Sequence, residues 1–159
     1  MSRIDTIPSS PSNAEVAALP EQDAPNEGPT LAGAGGPLRC LVVIDDQPPV
    51  HAYRSIARKL GVEVIFVERA QDALRTVLRE RPAGVILDLR LPDGDGRDLL
   101  ALFKQSPEIA DIPVVIVSGC LRPFEENTCF DLGAAGVAEK PVAIRRVMEQ
   151  AMGLRAVPA

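Results

Sequence analysis

The sequence has no tryptophan, one tyrosine (Tyr53), one histidine (His51) and three cysteines in 159 residues. Each scarcity removes a class of function. With almost no rings to stack on bases and a formal net charge of −5, the chain lacks the basic, aromatic surface of a nucleic-acid binder. Cys40, Cys120 and Cys129 form no C-x-x-C pair, and with one His they offer no zinc-site spacing. An odd number of scattered thiols predicts reduced cysteines in a reducing compartment. No apolar run approaches the ~20 residues needed to span a bilayer. The opening "MSRIDTIPSSPSNAEVAALPEQD" has no continuous apolar core of a signal peptide. These absences lead to the expectation of a soluble cytoplasmic protein.

What is present is unevenly distributed. Residues 1–37 mix Pro, Ser, Ala and Gly, and carry Asp5, Glu15, Glu21, Asp23 and Glu27 against Arg3 alone. The rest of the chain is nearly balanced, with 16 basic and 17 acidic side chains. A segment with so few large apolar groups cannot offset its ordering entropy, so residues 1–37 are expected to form a disordered acidic tail. The folded unit is expected over 38–156, with 157–159 as a short end and no second folded domain.

From Leu38 the composition changes to short apolar runs alternating with amphipathic stretches. "LRCLVVI", "VEVIFV", "GVILDL", "IPVVIVSG" and "GVAEK" read as strands. "PVHAYRSIARKL", "AQDALRTVLRE", "RDLLALFKQ", "PFEENTCFDLG" and "VAIRRVMEQAMGL" read as helices. In the first helix Val50, Tyr53, Ile56, Ala57 and Leu60 share a face, and Gly61 is placed as its C-cap. In the second, Ala73, Leu74, Val77 and Leu78 do, and Pro82 stops the helix. Strands apolar throughout are covered on both faces. Strict βα alternation then predicts an α/β fold with a parallel sheet between helices.

In such a fold the ligand site lies beyond the carboxyl ends of the strands. Those ends carry Asp45 and Asp46, Asp88, Ser118 and Lys140. Asp88 interrupts "ILDL", where an apolar residue would be easier to bury, and a Pro/Gly/Asp loop, "RLPDGDG", follows it. Three carboxylates in one pocket repel each other unless a cation intervenes. Mg²⁺ suits them, being a hard ion that takes one or two carboxylates, waters and phosphate oxygens. An Asp carboxylate is a competent nucleophile toward phosphorus. Phosphoryl transfer then needs mainly positioning and charge neutralisation.

The ordered set "IDD", "LDLRLPDGDG", "VSG" and "EKP" resembles the receiver domain of two-component response regulators, over about residues 38–155. The resemblance implies a flavodoxin-like (βα)5 three-layer sandwich with strand order 2-1-3-4-5. It implies that Asp88 is the phosphoacceptor, taking a phosphoryl group from a phosphohistidine on a histidine kinase or histidine phosphotransfer protein. Mg²⁺ would be held by Asp45, Asp46, Asp88 and the backbone carbonyl of Arg90. Ser118 and Lys140 would contact the phosphoryl group, Pro92 and Gly96 would shape the loop, and the Lys140–Pro141 bond would be cis.

One departure stands out. The family's usual Tyr or Phe, three residues before the lysine, is here Val137. The ring movement of the standard switch is therefore in question, with Phe124 as a candidate substitute. Arg90 and Cys120, two residues beyond Asp88 and Ser118, occupy positions that modulate phosphoryl lifetime in the family. His51 is read as a solvated or partner-contacting residue. The leading expectation is a single-domain phosphorelay switch, not a turnover enzyme, whose output passes to a downstream protein by contact. The face formed by the fourth helix, fifth strand and fifth helix is the expected route. The alternative is a degenerate receiver that binds proteins without phosphorylation. Haloacid-dehalogenase phosphatases share aspartyl-phosphate chemistry but place the nucleophile in a D-x-D motif at the first strand, which does not fit Asp88.

Overall fold

The computed structural model describes residues 39–154. The expected tail over 1–37 and the end at 157–159 lie outside the described residues. Twelve elements follow in order: β1 (Arg39–Ile44), α1 (Val50–Leu60), β2 (Val62–Val67), α2 (Ala70–Glu80), β3 (Gly84–Asp88), β4 (Arg90–Leu91), β5 (Gly94–Asp95), α3 (Gly96–Gln105), β6 (Val114–Ser118), α4 (Pro123–Asp131), β7 (Gly136–Glu139) and α5 (Ile144–Ala151).

Five strands form one sheet in the order β2-β1-β3-β6-β7, parallel throughout. With the tiny β4–β5 pair set aside, this is the predicted 2-1-3-4-5 order. The strands are apolar along their length because both faces are covered. Val42, Ile44, Val85, Leu87, Val114 and Ile116 pack toward α2, α3 and α4, through Ala73, Val77, Leu99, Leu100, Phe103 and Cys129. The alternate residues Leu41, Val43, Ile86, Val115 and Val117 pack toward α1 and α5, through Tyr53, Ala57, Val147, Met148 and Ala151. Each fully buried aliphatic side chain contributes roughly 1.5–3 kcal/mol relative to exposure.

Helix boundaries follow local chemistry. α1 ends where Gly61 turns left-handed, and the Gly61 N–H donates to the Ala57 carbonyl. Its predicted face holds at Tyr53 and Ala57, while Val50 is exposed. α2 ends at Arg81, also left-handed, just before Pro82. α5 is shorter than its apolar stretch suggested, running only over Ile144–Ala151. At the sheet's edge, the Phe66 ring of β2 meets Tyr53 edge-on, with centroids 5.9 Å apart. The Arg54 guanidinium lies over the same ring at 5.6 Å.

One element was not anticipated. The loop after Asp88 contains a minimal antiparallel hairpin, with Arg90 opposite Asp95 and Leu91 opposite Gly94. Two residues per strand are too few to show alternation, so periodicity gives no sign of it.

Candidate functional site

The parallel register brings the strand ends to one edge. Ile44 aligns with Leu87, Asp88 with Val117 and Ser118 with Glu139. The residues at or just beyond these ends therefore gather: Asp45 and Asp46 after β1, Asp88 ending β3, Ser118 ending β6 and Lys140 after β7. The backbone is tied here too, since the Asp45 N–H donates to the Val67 carbonyl at 3.0 Å and the Lys140 N–H to the Ser118 carbonyl at 2.8 Å.

Asp45, Asp46 and Asp88 each offer a carboxylate oxygen within 4.8 Å of the others. Asp45 and Asp88 are buried, and Asp46 is exposed. The Lys140 ammonium donates to Asp88 Oδ2 at 2.8 Å and to Asp45 Oδ2 at 3.0 Å. The other oxygen of Asp88 accepts the Arg90 N–H at 3.0 Å, and that of Asp45 accepts the Gln47 N–H at 3.0 Å. Both buried carboxylates are thus hydrogen-bonded on each oxygen, as buried charge requires. Partial burial works against the Lys140 charge, but the bonds to Asp88 and Asp45 outweigh it and hold the ammonium above its ordinary pKa.

The donor set fits a hard divalent cation. All three clustered groups are carboxylates, and one ammonium leaves them with excess negative charge. Ser118 is fully buried, and its hydroxyl faces its own loop. It donates to the Cys120 carbonyl at 3.2 Å and accepts the Cys120 N–H at 3.4 Å. The Arg90 side chain and Cys120 are exposed. Val137 is half-buried among the residues packed toward α2, α3 and α4. Phe124 is 57% exposed on α4. His51 is exposed on α1. The Lys140–Pro141 bond is cis, as the resemblance implied.

Gly96 is needed by close approach. Its N–H donates to the Leu89 carbonyl at 2.7 Å, and a Cβ there would overlap the Asp88 carbonyl. The start of α3 is thereby pressed against the backbone that carries Asp88. Tyr53 was missed by sequence reasoning as a neighbour of the site. Burial pushes its phenol well above the ordinary range, and the charges of Asp45 and Asp88 push the same way. Its helical spacing marked it only as core.

Comparison with known proteins agrees with this fold. The family profile described as response regulator receiver domain matches residues 41–152. The two-component response regulator ORR12 of Oryza sativa subsp. japonica is 36% identical over 105 residues, covering 65% of this chain and 87% of that protein. The polar-differentiation response regulator DivK of Brucella anthropi is 24% identical over 113 residues, covering 71% of this chain and 92% of that protein. Among solved structures, the phosphorylated cyanobacterial phytochrome response regulator RcpA superposes with a TM-score of 0.59 at 25% identity, covering 74% of this chain and 91% of that one. A CheY-like receiver domain protein from Methanospirillum hungatei JF-1 gives a TM-score of 0.63 at 24% identity, covering 72% and 90%.

A parallel sheet with an acidic carboxyl edge, together with this family match, places the chain in the class of phosphorelay signalling modules. The chain belongs to the response regulator receiver domain family.

Proposed function

We propose that the chain is a response regulator receiver, folded over residues 38–156, in which Asp88 accepts a phosphoryl group from a partner phosphohistidine. The partner is a histidine kinase or a histidine phosphotransfer protein. One observation carries the reading: the Asp88 carboxylate closes a buried strand with the Lys140 ammonium 2.8 Å away and two further carboxylates beside it.

The chemistry follows from that placement. A carboxylate oxygen of Asp88 attacks phosphorus, the phosphorus–nitrogen bond to the donor imidazole breaks, and the imidazole leaves with the bond's electron pair. The Arg90 N–H, bonded to Asp88 Oδ1, holds the carboxylate's orientation. The Lys140 ammonium, already beside Asp88, neutralises charge on the phosphoryl oxygens. Ser118 contributes its hydroxyl to the same oxygens after releasing the Cys120 backbone. Asp45, Asp46, Asp88 and the Arg90 carbonyl would hold Mg²⁺. When bound, the ion supplies positive charge that offsets the clustered carboxylates and the incoming phosphoryl group. The chain acts as a switch in the cytoplasm, without turnover of a separate substrate, and passes its state to a downstream protein by contact.

Val137 favours a second reading, a receiver that binds its target without phosphorylation, because no ring at this position reports the state of the site. Both readings face one test. The protein is incubated with acetyl phosphate or phosphoramidate, with and without Mg²⁺, and weighed intact beside Asp88→Asn. The expected result is a Mg²⁺-dependent gain of one phosphoryl group by the parent protein alone. No gain with either donor would transfer the assignment to the phosphorylation-independent module.

A further inference from the structure

We propose that Asp93 is a positioning residue for the acidic site, clamping the turn that follows Asp88 onto the amino terminus of α2. The inference rests on the assignment of Asp88 and Arg90 given above, and it adds a residue to which that assignment gives no role.

α2 begins without a cap of its own. Arg69 stands at the N-cap position and makes no side-chain capping bond, which leaves the helix's first N–H groups needing outside partners. Asp93 supplies them from more than twenty residues away. Its Oδ1 accepts the Ala70 N–H at 2.7 Å, and its Oδ2 accepts the Gln71 N–H at 3.1 Å. Both carboxylate oxygens thus bind one helix terminus, where the helix dipole also favours negative charge. Desolvation opposes that charge, but the Ala70 and Gln71 N–H groups, with Asp93's own N–H and the Arg69 charge, outweigh it and keep the carboxyl below its ordinary pKa.

The location of Asp93 gives the cap its second role. Asp93 sits in the turn between β4 and β5. A hairpin of two residues per strand does not hold its own position, since even longer isolated hairpins are marginal. At its base the hairpin is anchored by the Arg90 N–H bond to Asp88 on the upstream side and by the Gly96 N–H bond to Leu89, which joins its two ends. At its tip, the hairpin is tied by Asp93 to a helix fixed in the core by Ala73 and Val77. The main chain at Arg90, whose N–H orients Asp88 and whose carbonyl is assigned to Mg²⁺, is thereby held between two fixed points. Removing a group that hydrogen-bonds a metal ligand typically costs about 10–100-fold in affinity, and Asp93, which acts on the ligand through the backbone, is placed at the low end of that range.

The experiment separates the cap from the clamp. Four full-length proteins are compared: the parent, Asp93→Ala, Asp93→Asn and the double variant Asp93→Ala/Arg69→Ser. The added serine caps α2 locally without touching the hairpin. Mg²⁺ affinity is measured by calorimetry, thermal stability by unfolding, and backbone opening by hydrogen exchange at the Arg90 and α2 amides. Asp93→Ala is expected to lower both stability and Mg²⁺ affinity, the latter about tenfold. Asp93→Asn, which keeps one acceptor oxygen, should fall between. The double variant should regain stability and α2 protection while Mg²⁺ affinity stays low and the Arg90 amide exchanges fast. Unchanged affinity in Asp93→Ala, or affinity restored together with stability in the double variant, would overturn the proposal. Should the parent protein bind no Mg²⁺, the assignment of the site fails instead, and the exchange rate at Arg90 alone decides whether the clamp exists.

Discussion

The two edges of the sheet are built from the same strands and by opposite rules. At the edge where the strands begin, backbone carbonyls are met closely by backbone and side-chain donors, and no like charges are gathered into one pocket among the described residues. The Ala83 N–H donates to the Cys40 carbonyl at 2.7 Å, the Arg39 guanidinium to the Met152 carbonyl at 2.9 Å, and Gly84 lies against the Ala151 backbone. At the edge where they end, three carboxylates share a pocket with one ammonium. The first edge is organised for packing. The second keeps like charges together against their repulsion, and this arrangement is the physical ground for the function proposed above.

Substitutions that disturb one edge and not the other sharpen this contrast. The largest expected effect is at the packed edge. A Cβ at Gly84 would overlap the Ala151 carbonyl, a backbone atom that cannot rotate aside. Gly84→Ala should therefore cost about 3 kcal/mol in urea unfolding, with Mg²⁺ affinity preserved. A loss under about 1 kcal/mol would show that α5 shifts freely and that the edge is not tightly set.

A smaller change of opposite sign is expected at the acidic edge. Asp46 is the exposed member of the carboxylate cluster, so Asp46→Asn removes repulsion and leaves no buried charge unpaired. Without Mg²⁺ the variant should gain about 0.5–1 kcal/mol, and it should lose the stabilisation that Mg²⁺ gives the parent protein. Equal stabilisation of both proteins by Mg²⁺ would remove Asp46 from the ligand set.

The smallest effect concerns reactivity. Cys120 lies exposed beside the acidic edge. Cys40 lies near the packed edge, where burial and then the charges of Glu63 and Glu80 push its thiol up to about 12. Cys129 is buried, and desolvation raises its thiol too. With a thiol reagent near pH 8, Cys120 should be labelled first and Cys40 only on unfolding, as peptide mass mapping can follow. Early labelling of Cys40 would mean that the strand-start edge opens readily.

The sheet was legible in the sequence because burial on both faces makes each strand a continuous apolar run, and β2 and α2 have the predicted limits. The acids and Lys140 were legible because charge at a strand end contradicts the run that precedes it. The β4–β5 hairpin was hidden by its length. Asp93 was hidden because its partners lie more than twenty residues away, and "PDG" alone reads as an ordinary turn. The one available clue was an absence: Arg69 precedes α2 where Ser, Thr, Asp or Asn is expected. Tyr53 was hidden because helical spacing reports which face a residue occupies and not how near the sheet's edge it reaches.

The aromatic group around Phe66 bears on how the protein behaves in concentrated solution. β2 is an edge strand of six residues, "VEVIFV", and such a strand is a template for pairing with another molecule's backbone. Arg54 over the Phe66 ring and the exposed Glu63 within the strand place charge along that edge. Charge so placed is expected to disfavour intermolecular sheet extension. Their removal would first be felt as precipitation at high concentration, before any change in the melting of the single molecule.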